Sequence, residues 1–494
     1  MGTRAKAIVA IDEGDAPVFL RIARGVADDV RRGRLRAGEP LPGSRALADS
    51  LGVSRNTVVA AYRELVAEGW VTARTGDGTF VSHDLPVVRP RSFHRVRPSA
   101  VARATSFALR AEESAWVEPA AAYPRGTLVM WGGVPDVRLL PATLIARGYR
   151  RVLSSRGAAD VLGYGDPRGH AQLRAAIADL VREGRGVPAR ADDVVVTRGS
   201  QMALELVGRA VCPAGGAVAV EALGYRPAWG AFARSGARIV PVPVDAHGID
   251  VAALADMASR EPIRAVYVTP HHHYPTTVTL SPARRIALLD LARRARFAVI
   301  EDDYDHELHY EGRPVLPLAS ADAHGSVVYV GSLSKVLAPA LRLGYVVAPP
   351  PVVDRIARDR ITVDRQGDHV AERVAAELLE DGTIAHHIRR TRRIYAARRD
   401  RLLEELARAL AGRVEVSAPH GGMALWARVH LRPADVTRWE RQALERGVAF
   451  AAGGRFTFDQ RPVAFARFGF AMLDDGEIRE AVKRLAGAFP ANRS

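Results

Sequence analysis

Cysteine is almost missing from this chain: Cys212 stands alone among 494 residues. An intrachain disulfide is therefore impossible, which fits a reducing compartment, and Cys212 reads as a small buried apolar residue. Long apolar runs are missing as well. No window approaches the run of about 18 apolar residues that a membrane-spanning helix requires, so a protein that does not span a membrane is expected. The first residues, Met1-Gly2-Thr3-Arg4 and a short apolar stretch that meets Asp12 and Glu13, are too few for a signal-peptide core. Lys6 breaks the myristoylation pattern, and a cytoplasmic location is expected. Lysine is the most informative scarcity. Of 70 basic residues only Lys6, Lys335 and Lys483 are lysines, so chemistry that needs a side-chain primary amine has few candidates. Lys6 sits in a tail and Lys483 on a terminal helical pattern, which singles out Lys335.

Arginine is abundant instead. The formal net charge is +15, and a chain this basic has nucleic acid as the first partner to consider. Most arginines, including those of the run 389–393, read as solvated surface, so charge alone does not decide the matter. The length implies about two to four folded units.

Residues 15–83 read as one domain of three helices and a hairpin. Pro17 opens a helix with Phe19, Ile22, Val26 and Val30 on one face, closed by Gly33. Ser44 is expected to cap a second helix over 45–51, stopped by Gly52. Ser54 is expected to cap a third, whose stripe is Val58, Ala61, Tyr62 and Leu65. Strand-like runs at 70–74 and 79–82 flank Gly76-Asp77-Gly78, a sequence suited to a tight turn. Two short helices separated by a turn and followed by a hairpin make a winged helix-turn-helix. The third helix would then enter the major groove of double-stranded DNA, offering Ser54, Arg55, Asn56 and Thr57. Arg45 and the wing, with Arg74 and Gly78, would grip the backbone. A small structural bundle with solvated polar residues is the competing reading.

Residues 84–125 lack periodicity and carry prolines and arginines, as a linker does. From 126 to 494 apolar strand-like runs alternate with helices, at 194–197, 217–220, 238–242, 265–269, 297–301, 327–331 and 344–348. The fold class is therefore α/β, with a mainly parallel sheet covered on both faces over about 126–365 and a smaller α+β lobe over about 366–494.

Ligands of such sheets bind beyond the carboxyl ends of the strands. At one end Ser200 and Gln201 open a helix, whose free N–H groups suit a phosphate. At another stands Asp302-Asp303-Tyr304-Asp305, of which Asp303 and Asp305 are expected only to cap the next helix. At a third Ser332, Ser334 and Lys335 precede Arg342. An amine for a Schiff base beside a cationic clamp for a phosphate describes a pyridoxal 5'-phosphate (PLP) pocket. Lys335 would form the aldimine, its amine kept reactive by positive neighbours. Asp302 would pair with the pyridine nitrogen, Tyr304 would bond the phenolic oxygen, and Ser200, Gln201, Ser332 and Arg342 would hold the phosphate. No Gly-x-Gly-x-x-Gly follows a strand, against a dinucleotide site.

The motifs Leu51-Gly52-Val53-Ser54-Arg55-Asn56-Thr57-Val58 and Thr75-Gly76-Asp77-Gly78-Thr79 resemble a GntR-type winged helix. Glu301-Asp302-Asp303-Tyr304-Asp305 and Ser332-Leu333-Ser334-Lys335, through Arg342-Leu343-Gly344-Tyr345, resemble a fold-type I aminotransferase. Together, in this order and length, they resemble the MocR/GabR family of bacterial regulators over nearly the whole chain. That resemblance implies a homodimer in which PLP, with or without an amino compound, changes DNA binding. It also implies that Tyr225 stacks on the ring, that Tyr164 reaches the phosphate of the other subunit, that His272 lines the pocket and that Arg467 clamps an effector carboxylate. For Tyr164 and Tyr225 a core aromatic is the competing reading. Relatives commonly show Ser-His-Gln-Phe-Pro-Thr-Gly where this chain has His271-His272-His273-Tyr274-Pro275-Thr276-Thr277. Neighbours on an extended chain point to opposite faces, so no metal site is expected from the three histidines. Tyr274 replaces the Asn usual in aminotransferases, which fits a sensor better than an efficient enzyme. A working aminotransferase with an accessory winged helix is the alternative, and a DNA-binding protein whose body only dimerises is a third.

Overall fold

Apolar residues at helical spacing build the first of the two units into which the chain divides, Met1–Arg110 and Ala111–Ser494. The structure, a computed structural model, describes residues 16–74, 77–85, 107–108, 123–312 and 314–490. Lys6, most of the expected linker and the Thr75-Gly76 part of the wing lie outside the described residues.

In the first unit helix α1 (Val18–Arg31) buries Ile22, Ala23, Val26 and Val30. They meet Leu47 and Ala48 of α2 (Ser44–Leu51) and Val58, Ala61, Tyr62 and Leu65 of α3 (Arg55–Ala67). Each large apolar side chain removed from water stabilises this core by about 1.5–3 kcal/mol. Ser54 caps α3 as expected, its hydroxyl oxygen accepting the Thr57 N–H at 3.2 Å and satisfying one of the donors a helix start leaves free. Ser44 does not cap α2. Gly43 holds that position with no side-chain bond, and the Ser44 hydroxyl instead accepts from Arg55 Nε at 3.4 Å, tying α2 to α3. Strands β1 (Val71–Arg74) and β2 (Gly78–Val81) pair antiparallel, Arg74 opposite Gly78.

In the second unit seven strands form the main sheet: β3 (Val194–Thr197), β4 (Ala217–Glu221), β5 (Arg238–Val242), β6 (Ile263–Val268), β7 (Ala298–Asp303), β8 (Val327–Ser332) and β9 (Gly344–Val347). Their order is β3-β9-β8-β7-β6-β4-β5. All run parallel except β9, which is antiparallel to both its neighbours. Successive residues feed opposite cores: Val194 and Val196 face one and Val195 the other, as do Val299 and Ile300. That is why the strands read as unbroken apolar runs.

A smaller four-stranded antiparallel sheet carries Ala424–Val429 and Phe465–Gly469 side by side. It packs with the 27-residue helix Thr383–Ala409. The short strand Leu128–Val129 pairs with Val448–Ala449, and Met130 and Leu139 pack in this second core. Residues just after 126, expected in the large lobe, thus pack with the small one. Arg389, Arg390, Arg392 and Arg393 are exposed, as read from sequence, and Cys212 is buried.

Candidate functional site

Strand β7 runs two residues further than its apolar pattern implied, so Asp302 and Asp303 end the strand rather than begin a loop. Next to it β8 ends at Ser332 and turns at once into Lys335. The Ser332 hydroxyl accepts the Ser334 N–H at 3.1 Å, which shapes that turn and leaves its own proton to donate. Lys335 Nζ donates to the Gly133 carbonyl. Its pKa is lowered, as expected, but chiefly by burial; Asp305 and Asp302 oppose the shift, and Arg467 and Arg342 reinforce it. Positive neighbours are therefore the lesser cause. Those same four groups show what the fold collects around the amine.

Asp302 is 4% exposed. Its Oδ2 accepts from the Tyr267 hydroxyl at 2.8 Å, while its Oδ1 is buried without a hydrogen-bond partner. Burial, with Asp303 adding repulsion, lifts its pKa to about 7. A buried acceptor left open in this way is suited to an N–H cation. The Tyr304 hydroxyl donates to the His272 carbonyl at 3.0 Å, leaving its oxygen able to accept. Asp303 and Asp305, expected as helix caps, are buried at 3% and 1%. Asp303 accepts from Tyr329 at 2.7 Å and Asp305 pairs with His272 Nδ1 at 2.9 Å, and no helix starts here.

An aromatic group stands beside them. Tyr274 lies edge-on to Tyr225 at 5.2 Å, to Phe456 at 5.5 Å and to Tyr304 at 6.2 Å. The guanidinium of Arg467 sits 4.2 Å from the Tyr274 ring centre. Arg467 is 3% exposed, its Nε has no hydrogen-bond partner, and among the described residues no carboxylate pairs with it. A buried guanidinium without an anion is costly, so this arrangement is suited to an anionic guest.

The opposite end is built by a close approach of two strands. Gly344 of β9 lies so near Gly199 that a Cβ there would come within 2.6 Å of the Gly199 backbone. This sets Arg342 against the start of the helix Ser200–Val211. Arg342 Nη2 donates to the Arg198 carbonyl at 3.0 Å, and a Cβ on Gly199, at φ +79, would fall 2.8 Å from that guanidinium. Ser200 and Gln201 provide first-turn backbone N–H groups. The Gln201 side-chain amide is turned to the Pro227 carbonyl, at 2.7 Å. Tyr164 is not brought to this site: it is 84% exposed and stacks with Arg365 at 5.3 Å, so the core-aromatic reading does not describe it.

Sequence reasoning missed Tyr267, an ordinary apolar-strand residue by pattern, and the buried pair of Glu221 and His273, 3.5 Å apart. Burial raises the Glu221 pKa to about 8 and lowers that of His273 to about 3. No periodic signal marks these, because their partners come from other strands.

In the first unit Arg45, Ser54, Arg55, Asn56, Arg74 and Gly78 are exposed and Thr57 half-buried. Thr57 Oγ1 is held by Ser54 Oγ at 2.8 Å and Arg74 lies over the Phe80 ring at 5.0 Å. Arg55 and Asn56 are left as the foremost side chains of α3.

Residues 20–81 match the family described as bacterial regulatory proteins, gntR family, and residues 150–485 match aminotransferase class I and II. The chain is 32% identical over 485 residues, 98% of its own length and 96% of the relative's, to the probable rhizopine catabolism regulatory protein MocR of Rhizobium meliloti. The chain belongs to the MocR/GabR family of regulators. This MocR-type chain is also 32% identical over 491 residues to the HTH-type transcriptional regulator TauR of Rhodobacter capsulatus, covering 96% of this chain and 97% of that one. Its body superposes, with a TM-score of 0.67 and 32% identity over 74% of this chain and 92% of the other, on LysN, the alpha-aminoadipate aminotransferase of Thermus thermophilus complexed with N-(5'-phosphopyridoxyl)-L-leucine. It is thus a transcriptional regulator with a GntR-type winged helix and an aminotransferase-like domain, and no described helix is long and apolar enough to cross a membrane.

Proposed function

We propose that this MocR-type regulator holds PLP at Lys335 and senses PLP, an amino compound, or both, passing the state of the pocket to its DNA-binding helix. The grouping of Lys335, Asp302 and Arg467 carries the reading: a half-buried lysine of lowered pKa, a buried carboxylate oxygen with no partner, and a buried guanidinium with no anion. When bound, PLP supplies an aldehyde that combines reversibly with amines and a ring that withdraws electrons. Asp302 is suited to hold the proton at the ring nitrogen, and Tyr304 to hydrogen-bond the ring oxygen. Tyr225 provides an aromatic face, and His272 lines the wall through the carbonyl that Tyr304 engages. Arg342, Ser332 and the N–H groups at Ser200 and Gln201 would hold the phosphate. Arg467 is the partner for a carboxylate on the effector. The exposed ring of Tyr164 fits a contact across a homodimer, and action on DNA fits a cytoplasmic location. A sensor requires that the ligand favour one arrangement over another.

The test is a visible spectrum of the purified protein with added PLP, before and after a panel of amino compounds, with Lys335→Ala beside it. A lysine-dependent band that shifts with a compound, and a variant that binds operator DNA but no longer responds, are expected. A ligand response that survives Lys335→Ala overturns the sensor. The similarity to LysN favours a second reading, a working aminotransferase; multiple turnovers at about 1 per second or faster would establish it.

A further inference from the structure

Four histidines from two segments meet behind the wall of this pocket. His271 and His272 follow β6; His306 and His309 follow β7. The ring of His271 stands 4.4 Å from that of His272, 4.9 Å from His306 and 6.0 Å from His309, centre to centre, and His272 and His309 stack at 6.2 Å. His271, His272 and His306 are at most 5% exposed. Both ring nitrogens of His271, Nε2 of His306 and Nδ1 of His309 are buried without a hydrogen-bond partner. Buried polar atoms are ordinarily satisfied, so this many open nitrogens in one place call for a guest. His271, His272 and His309 each offer a ligand atom, all within 4.8 Å of one another.

Two carboxylates orient the rings. Asp305 engages Nδ1 of His272 and Asp303 engages Nδ1 of His306, each at 2.9 Å. A carboxylate on one imidazole nitrogen fixes the tautomer and turns the other outward, the arrangement that supports metal-bound histidines. The same two carboxylates would balance the charge of a dication.

We propose that His271, His272 and His309 form a binding site for a divalent transition-metal ion, zinc being the best match. Three imidazoles with no thiolate select a borderline ion rather than magnesium, calcium or an iron–sulfur cluster, and zinc accepts three protein ligands plus a water. The three histidines adjacent in sequence do not make the site by themselves, as their alternating directions imply, because the third ligand is not the third member of the run. His273 turns away, its Nδ1 paired with Thr276 Oγ1 at 2.6 Å, and His309 takes its place from across the fold.

The experiment uses the full chain, stripped with a chelator, loaded with zinc sulfate and desalted. Metal analysis is expected to find one zinc retained per chain. His309→Ala and His271→Asn should lose it, His247→Ala, at an exposed histidine, should retain it, and Asp305→Asn should weaken binding about 10–100-fold as a positioning residue. X-ray absorption at the zinc edge of the unaltered protein, which requires no variant to fold, should show scattering from three imidazoles. No retained zinc, retention undiminished in both His309→Ala and His271→Asn, or an edge spectrum without imidazole scattering would each overturn the proposal. The spectrum with PLP is read on the same samples. Its failure would sink the cofactor reading without touching this one.

Discussion

The two units of this regulator solve opposite problems. In the first, every residue assigned to DNA lies within 34 positions, Arg45 to Gly78, and nearly all are exposed on elements whose caps and stripes are local. In the second, the groups assigned to the pocket come from residues as distant as Ser200 and Arg467, and most lie buried or half-buried where strands end. A DNA surface needs charge in water on a rigid helix, so local chemistry suffices. A cofactor pocket needs desolvated, mutually perturbed groups, which only a large core can supply.

The comparison breaks most visibly if the units melt together. Leu65→Ala, at a fully buried site in α3, is expected to cost the first unit about 2–5 kcal/mol and abolish operator binding while the PLP spectrum stays intact. Circular dichroism and visible absorption on one thermal ramp separate the two, and loss of both signals at once would contradict local folding. Next in size, Asp302→Asn removes a charged partner worth about 1.5–3 kcal/mol. A tenfold to hundredfold weaker PLP titration is expected, with PLP-free DNA binding unchanged. On the exposed side, Asn56→Ala should cost about 1–3 kcal/mol and relax base preference at one position, whereas Arg45→Ala should lower the salt slope by about 1 across all sequences; gel-shift assays over a salt series distinguish them.

The finest effect is in pH. Burial raises Asp302 and Glu301 to about 7 and Glu221 to about 8, above their ordinary values. The folded state therefore holds protons that the unfolded chain releases. Stability from these groups is fully present below about pH 4 and is lost as pH rises through 7–8. Without PLP, the melting temperature of the second unit should fall between pH 5.5 and 8.5, and Asp302→Asn should flatten that slope. A slope unaltered by the variant would place the titration elsewhere.

Lys335 was legible because the chain has so few lysines, and Asp302 because it follows an apolar strand; both came together as read. Ser44 was misread as a cap because a serine before a helix is equally at home in its first turn. Asp303 and Asp305 were misread because an acid after a strand usually caps or faces water, and nothing local announces burial at 3% and 1%.

By itself the sequence determined what depends on neighbours along the chain: the helices and wing of the first unit, the strand runs, the lysine that stands at a strand end and the family. Tertiary structure alone decided what depends on neighbours across it. It brought Tyr267 to Asp302, left Arg467 without an anion, made burial the main cause of the Lys335 shift, and set His309 beside His271 and His272. Periodicity reports which face a residue turns to its own element, whereas desolvation and long-range pairing depend on which other elements close over that face, and that choice is made only when the whole core packs.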